Sequence, residues 1–276
     1  MKPIWLGLLF IGGALFLIAT LGQIGIGASY HNYPARKWEA FDHFLVERTP
    51  NIDSLYNVAQ QQISLLDNFS PKDVMQILYD LVKKRFTHGD KAKHTLFSNW
   101  LLYSLGKIHP AFAHILDPDL MLRQGYSVLC GQASYILLRM ALKAGIPARH
   151  VGLQGHVVVE AWYENEWHMY DPDLEVIALD EYGNVMAVDT LARNSTLIRK
   201  LYEGRGDIEE IVSILQHREK HNFITYPQGA RFVWKVEVIY LFKIIAEYLK
   251  FIIPLFIVSI ALLQFTKKDN LSWFRE

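Results

Sequence analysis

The sequence predicts an α+β domain held between two apolar helices. Three features carry that expectation: a charge-poor run at each end, helical periodicity through the first half, and three short β-rich segments directly after a central helix. From Pro3 to Tyr30 there is no Asp, Glu, Lys or Arg. Ile4 to Ile26, at about 1.5 Å per residue, exceeds the roughly 30 Å of a bilayer's hydrocarbon core. The apolar region of a signal peptide is usually only about 7–15 residues long. An uncleaved anchor is therefore expected, although Gly25-Ile-Gly-Ala-Ser29 offers the small residues that a cleavage site uses.

The second run, Phe251 to Phe265, is uncharged but too short to span alone at about 1.5 Å per residue. Extending it back through Tyr240 adds Lys243, Glu247 and Lys250, which sit at helical spacing and can pair or reach toward the interface. Pro254 bends that helix or marks where it enters the bilayer. A buried or membrane-surface helix is the alternative for this run. Two spans put both termini on one side. Lys2, Lys267 and Lys268 favour cytoplasmic termini, while Arg36, Lys37 and Lys235 pull the other way. The intervening domain is expected outside the cytoplasm.

Between the runs, Ser70-Pro71-Lys72-Asp73 joins an N-cap serine, a proline at the first helical position and an acid three residues on, ahead of Val74, Ile77, Leu78 and Leu81. Asn99 to Leu105 continues the helical pattern, Leu116-Asp-Pro-Asp119 marks a turn before a short helix, and these helices are expected to pack around the central one. That central helix is Cys130 to Lys143, with Ala133, Ile136, Leu137, Met140 and Ala141 on one face and a stop at Gly145-Ile-Pro147. Ala148 to Leu153, His156 to Tyr163 and Glu166 to Tyr170 read as strands, with Glu164-Asn165 a tight connection. Two further helical stretches follow, around Thr190 to Tyr202 and Asp207 to Arg218. Residues 1–28 thus read as an anchor, 29–235 as one domain with a helical extension over 189–235, 236–266 as a second membrane helix and 267–276 as a cytoplasmic tail.

Lys plus Arg equals Asp plus Glu at 28 each, so no global field favours nucleic acid. The one cysteine excludes an intramolecular disulfide and any multi-cysteine zinc cage. A cysteine beside Val128 and Leu129 is usually a small core hydrophobe, but Cys130 lies where a helix begins, and unpaired amides and the positive dipole end there stabilise a thiolate. His156 opens a strand directly after Gly155, which has no side chain to block approach to that helix. Asp171 closes the following strand, where a carboxylate can orient His156 and stabilise its imidazolium. Asp173 is the alternative acid, yet it faces the same way only if the strand continues past Pro172. His150 and His168 lie on strands nearby, but they match no paired-ligand zinc motif, so no metal site and no cofactor are expected. Glu160 and Trp162 read as structural strand residues.

Four runs in order, Gly125-Tyr-Ser-Val-Leu-Cys130-Gly-Gln-Ala133, Ala144-Gly-Ile-Pro-Ala-Arg149, His156-Val-Val-Val-Glu160 and Trp167-His-Met-Tyr-Asp-Pro172, resemble the core of the transglutaminase-like superfamily of papain-like thiol enzymes. The resemblance covers about residues 70 to 180. It implies Cys130 as nucleophile, His156 as base and acid, and Asp171 as orienting carboxylate; with the two apolar runs and the lysine placement, the expectation is a bacterial inner-membrane protein with an extracytoplasmic catalytic domain. It departs from the family pattern at Gly131, where an aromatic residue often follows the cysteine, and in the short stretch from Cys130 to His156. The implied reaction is attack of the thiolate on an amide or ester carbonyl of a protein, peptide or envelope polymer, giving an acyl-enzyme resolved by water, an amine or a hydroxyl. The oxyanion requires donors, for which the Cys130 backbone N–H is one candidate and Gln124 or Gln132 another. A non-catalytic scaffold module of an envelope or polysaccharide-assembly complex is the competing expectation.

Overall fold

The computed structural model describes residues 2–27, 32–89, 92–153, 155–216 and 234–272. In chain order the elements are α1 (Lys2–Gln23), α2 (His43–Arg48), α3 (Ile52–Ile63), α4 (Pro71–Arg85), β1 (Thr87–His88), α5 (Leu96–Ile108), α6 (Pro110–Ala113), α7 (Pro118–Gln124), β2 (Ser127–Val128), α8 (Cys130–Lys143), β3 (Ala148–Gly152), β4 (Val157–Tyr163), β5 (Glu166–Asp171), β6 (Val176–Ile177), α9 (Val188–Leu191), α10 (Ser195–Leu201), α11 (Ile208–Gln216) and α12 (Trp234–Ser272). Ala28 and Ser29 of the small-residue stretch, Arg218 at the expected helix end and residues 273–276 of the expected tail lie outside the described residues. The architecture is α+β, with helices, a small antiparallel sheet and two long apolar helices. It divides into two compact units: residues 1–30, 93–114 and 234–276 form one, and residues 31–92 and 115–233 form the other.

In the first unit, Pro3–Gln23 and Leu241–Phe265 are long and apolar enough to cross a membrane, with mean hydropathies of 2.4 and 2.0. A soluble core helix of that composition would be buried, yet Ile4, Phe10, Phe256 and Leu263 are all exposed, which suits a lipid surround. The two helices approach closely at Gly12, where an added Cβ would lie 2.9 Å from Val258 Cγ2 and 3.0 Å from the Pro254 carbonyl oxygen. Glu247 and Lys250 of α12 find partners. Lys250 Nζ donates to Glu247 Oε2 (2.7 Å) and to the Ser98 carbonyl (2.9 Å), and Asn99 Nδ2 donates to Glu247 Oε1 (2.8 Å). Asn99 itself leaves helical geometry, with φ −162° and ψ 96°. α5 therefore packs on α1 and α12, whereas the sequence pattern expected it around the central helix. Its polar break matches the polar stripe of α12, a complement that apolar periodicity does not encode.

The second unit holds the sheet. α4 starts as the sequence predicts: Ser70 Oγ accepts from the Asp73 amide and Asp73 accepts from the Ser70 amide, closing a reciprocal cap around Pro71. The sheet runs β3-β4-β5-β6, all antiparallel, with Val159 opposite His150 and Tyr170. Glu164 and Asn165 both take positive φ (52° and 63°), the geometry of a two-residue hairpin turn. The edge strand β6 is too short to leave a sequence pattern. Because side chains alternate across a strand, Val158 and Met169 face Val188 and Leu191 of α9, Ile198 of α10 and Tyr202 just after α10, while Val159 and Ala161 face α8. The expected helix over Thr190 to Tyr202 is divided, because Asn194 caps α10 by accepting from the Leu197 amide at 3.0 Å.

Candidate functional site

The site is assembled at the start of α8. β2 pairs in parallel with β1 and delivers the chain to Leu129, whose carbonyl accepts from the amides of Gln132 and Ala133. Cys130 is the first helical residue, so its sulfur sits among the amides that a helix N-terminus leaves without intrahelical partners. β4 lies alongside Gly131, where an added Cβ would sit 3.6 Å from Val157 Cγ2 in ordinary van der Waals contact.

His156 stands just ahead of β4. Gly155 has φ +93°, and a Cβ on it would meet nothing within 4 Å. The glycine is therefore required by its left-handed backbone, not by crowding, which was the reason the sequence suggested. His156 Nε2 bonds Asp171 Oδ2 at 2.7 Å across the β4–β5 end of the sheet. That leaves Nδ1 for the Cys130 side chain, the other hydrogen-bonding partner of His156. Burial opposes a charge on this imidazole, but the Asp171 carboxylate, and then the bond to Cys130, hold its pKa well above the ordinary histidine value.

Asp171 is fully buried and saturated. Oδ2 also accepts from the Tyr202 hydroxyl (3.0 Å), and Oδ1 accepts from the amides of Asp173 (3.2 Å) and Leu174 (3.0 Å). Burial and the neighbouring Asp171 keep the Tyr202 phenol well above its ordinary pKa, so it remains a donor. Those two amide bonds wrap the chain around Asp171. Pro172 does end the strand, yet the turn swings Asp173 back. An oxygen of Asp173, a nitrogen of His156 and the sulfur of Cys130 all lie within 4.8 Å of one another. Asp173 in turn holds His88 Nδ1 at 2.9 Å, from β1.

The structure thus brings together three of the five residues the sequence singles out, Cys130, His156 and Asp171. The two glutamines separate. Gln132 has its amide committed: Oε1 accepts from the Ala92 amide (3.0 Å) and the Leu129 amide (3.4 Å), and Nε2 donates to the carbonyls of Ala92 (3.0 Å) and Ile115 (2.8 Å). Gln124 is 9% exposed, and neither polar atom of its side chain has a partner. His168 bonds the carbonyls of Val185 and Tyr163 through its two ring nitrogens, and so serves the sheet. His150 hydrogen-bonds the Gly131 backbone, and its Nε2 is enclosed without a partner. Glu160 is structural, accepting from Arg149 Nε at 2.7 Å and the Val188 amide at 2.8 Å. Sequence reasoning missed His88 and Tyr202, and it set Asp173 aside. The Asp171-Pro-Asp173 pair was a usable signal for the last, whereas nothing marks Tyr202, which arrives from a separate helix. No protein-family model matches the chain, and no curated protein matches it.

Proposed function

We propose that this chain is a membrane-anchored thiol enzyme of the transglutaminase-like kind. The observation that carries the reading is the relay Cys130–His156–Asp171, in which a helix-start thiol meets an imidazole whose far nitrogen is held by a saturated, buried carboxylate. A cysteine opening a helix that packs on an antiparallel sheet, with His and Asp at the ends of adjacent strands, supports the transglutaminase-like fold.

In this reading the Cys130 sulfur forms a bond to the carbonyl carbon of an amide or ester, and His156 takes the thiol proton and delivers it to the leaving nitrogen or oxygen. Asp171 fixes the ring and stabilises the imidazolium without taking its proton. The developing oxyanion is met by the Cys130 amide at the helix start and by Gln124, the glutamine whose amide is uncommitted. Water, an amine or a hydroxyl then attacks the thioester carbon and releases the enzyme. The substrate is a protein, peptide or envelope polymer presented at the bilayer, with the catalytic domain outside the cytoplasm and Lys2, Lys267 and Lys268 inside.

The test is labelling of the full chain in membranes by a thiol-directed acyl probe, alongside product analysis on envelope extracts. Wild type should label and turn over, whereas Cys130→Ser should do neither while remaining folded. A Ser variant that restores the phenotype of a deletion strain would instead favour a scaffold. Reporters fused near residue 60 and after Lys268 check the topology, and a cytoplasmic signal at residue 60 refutes it.

A further inference from the structure

We propose that Cys130, His156 and Asp173 form a transition-metal site, with zinc as the fitting ion, that reversibly closes the thiol to substrate. The regulatory part rests on the thiol-enzyme reading, whereas the site itself does not.

The donor set is one sulfur, one imidazole nitrogen and one carboxylate oxygen, all within 4.8 Å of one another. Tetrahedral zinc at bond lengths of about 2.0–2.3 Å needs its ligands about 3.4–3.7 Å apart. Side-chain rotation of about 1 Å closes that gap, because Asp173 sits on a turn and Cys130 has a single χ angle. Sulfur with nitrogen and one oxygen selects a borderline ion over magnesium or calcium, which take oxygen alone. Three protein ligands leave the fourth position for water.

The outer partners that metal ligands require are also in place. A ligating histidine normally passes its other ring N–H to a carboxylate, and His156 Nε2 already bonds Asp171 at 2.7 Å, leaving Nδ1 to face the ion. A ligating carboxylate is normally hydrogen-bonded by an outer partner, and His88 Nδ1 bonds Asp173 at 2.9 Å from Oδ1 and 3.0 Å from Oδ2. The Asp173 backbone amide supports Asp171, but its carboxylate takes no part in the relay, so a second, separately buttressed acid beside the thiol is unexplained by catalysis alone. On binding, the one proton held between the Cys130 sulfur and His156 Nδ1 leaves to solvent as the sulfur–metal and nitrogen–metal bonds form, and no electron is transferred. The nucleophile is then occupied.

Cobalt(II) titration of the full chain in detergent reads the site directly. Wild type should develop a thiolate-to-cobalt charge-transfer band that zinc displaces. Cys130→Ser should lack the band, Asp173→Asn should bind more than tenfold more weakly, and His88→Gln should lose roughly tenfold as an outer partner. Zinc should also protect Cys130 from iodoacetamide in wild type but not in Asp173→Asn, whose unprotected alkylation shows that its thiol is intact. Absence of the band in wild type, or an Asp173→Asn variant with unchanged cobalt affinity and unchanged zinc protection, overturns the metal site. A protein that gives the band yet never reacts with the acyl probe retains the site and loses the enzyme reading. One that reacts with the probe but gives no band does the reverse.

Discussion

His150→Asn isolates the energetic cost of a half-buried, neutral histidine whose Nε2 is enclosed beside the helix that Cys130 opens. Burial pushes the His150 pKa down from 6.5 to about 4, only partly offset by its bond to the Gly131 backbone. Its Nε2 is enclosed with no partner, so a proton there would create a cation facing no acceptor. The unfolded chain binds this proton at the ordinary value and the folded chain does not. Between about pH 6.5 and 4 the unfolded state therefore holds the extra proton, and stability falls as pH falls. At about 1.36 kcal/mol per pH unit of separation, His150 removes about 3 kcal/mol by pH 4. For a domain of this size that is roughly 6–12 °C in Tm. Asn places an amide where Nδ1 stands, keeps a donor for Gly131 and cannot titrate. The assay is thermal unfolding of wild type and His150→Asn in detergent between pH 7 and 4. The variant should lose less stability than wild type by about that amount. Parallel acid limbs in the two proteins would show that His150 is free to protonate in the folded state, and would refute the account.

Further predictions follow from other contacts. The raised pKa of His156 contributes stability that is complete below pH 6.5 and lost as pH rises through the folded value, so His156→Gln should flatten the alkaline limb of an unfolding profile extended upward from pH 7. Gln132→Ala strands the Ala92 amide and the Ile115 carbonyl and should cost about 2 kcal/mol or more in denaturant unfolding. Gln124→Ala should instead lower acyl-probe turnover roughly 100-fold with Tm nearly unchanged. Equal effects of the two glutamine variants on turnover would end that distinction. Gly12→Leu should separate α1 from α12 and lower Tm, while Gly13→Leu, where a Cβ meets nothing within 4 Å, should not.

The legible parts of this chain are those in which one residue's chemistry dictates one local geometry. Ser70-Pro71 with Asp73, the Glu164-Asn165 turn and the helix from Cys130 to Lys143 appear where the sequence puts them, because caps, turns and glycine stops act over a few residues. The positions of Cys130, His156 and Asp171, members of the proposed relay, are legible for a similar reason: each lies at or beside an element end that periodicity locates. What stayed hidden depends on long-range placement. The Asp173 carboxylate returns to the thiol only because the Asp171 side chain organises the turn beyond Pro172. The two glutamines look alike in sequence and are told apart only by Ala92 and Ile115, far from Gln132 along the chain. α5 left the expected bundle because its Asn99 break matches Glu247, a pairing across most of the chain.

The clasp at Gln132 bears on how such a chain can be rebuilt. Residues 93–114 depart from Ala92 and return at Ile115, and the Ile115 amide donates to the Ala92 carbonyl at 2.9 Å, so the insertion opens and closes at a single point. A segment with joined ends is removable: a turn of about two to four residues spans such a gap. Excision would leave Gln132 with the same four carbonyl and amide partners it has now. Together with trimming of the terminal helices, it offers a water-soluble form of the second unit for crystallisation and substrate screening. The same joint accepts the converse operation, in which a different 22-residue hairpin is grafted between Ala92 and Ile115 to direct the second unit to another surface.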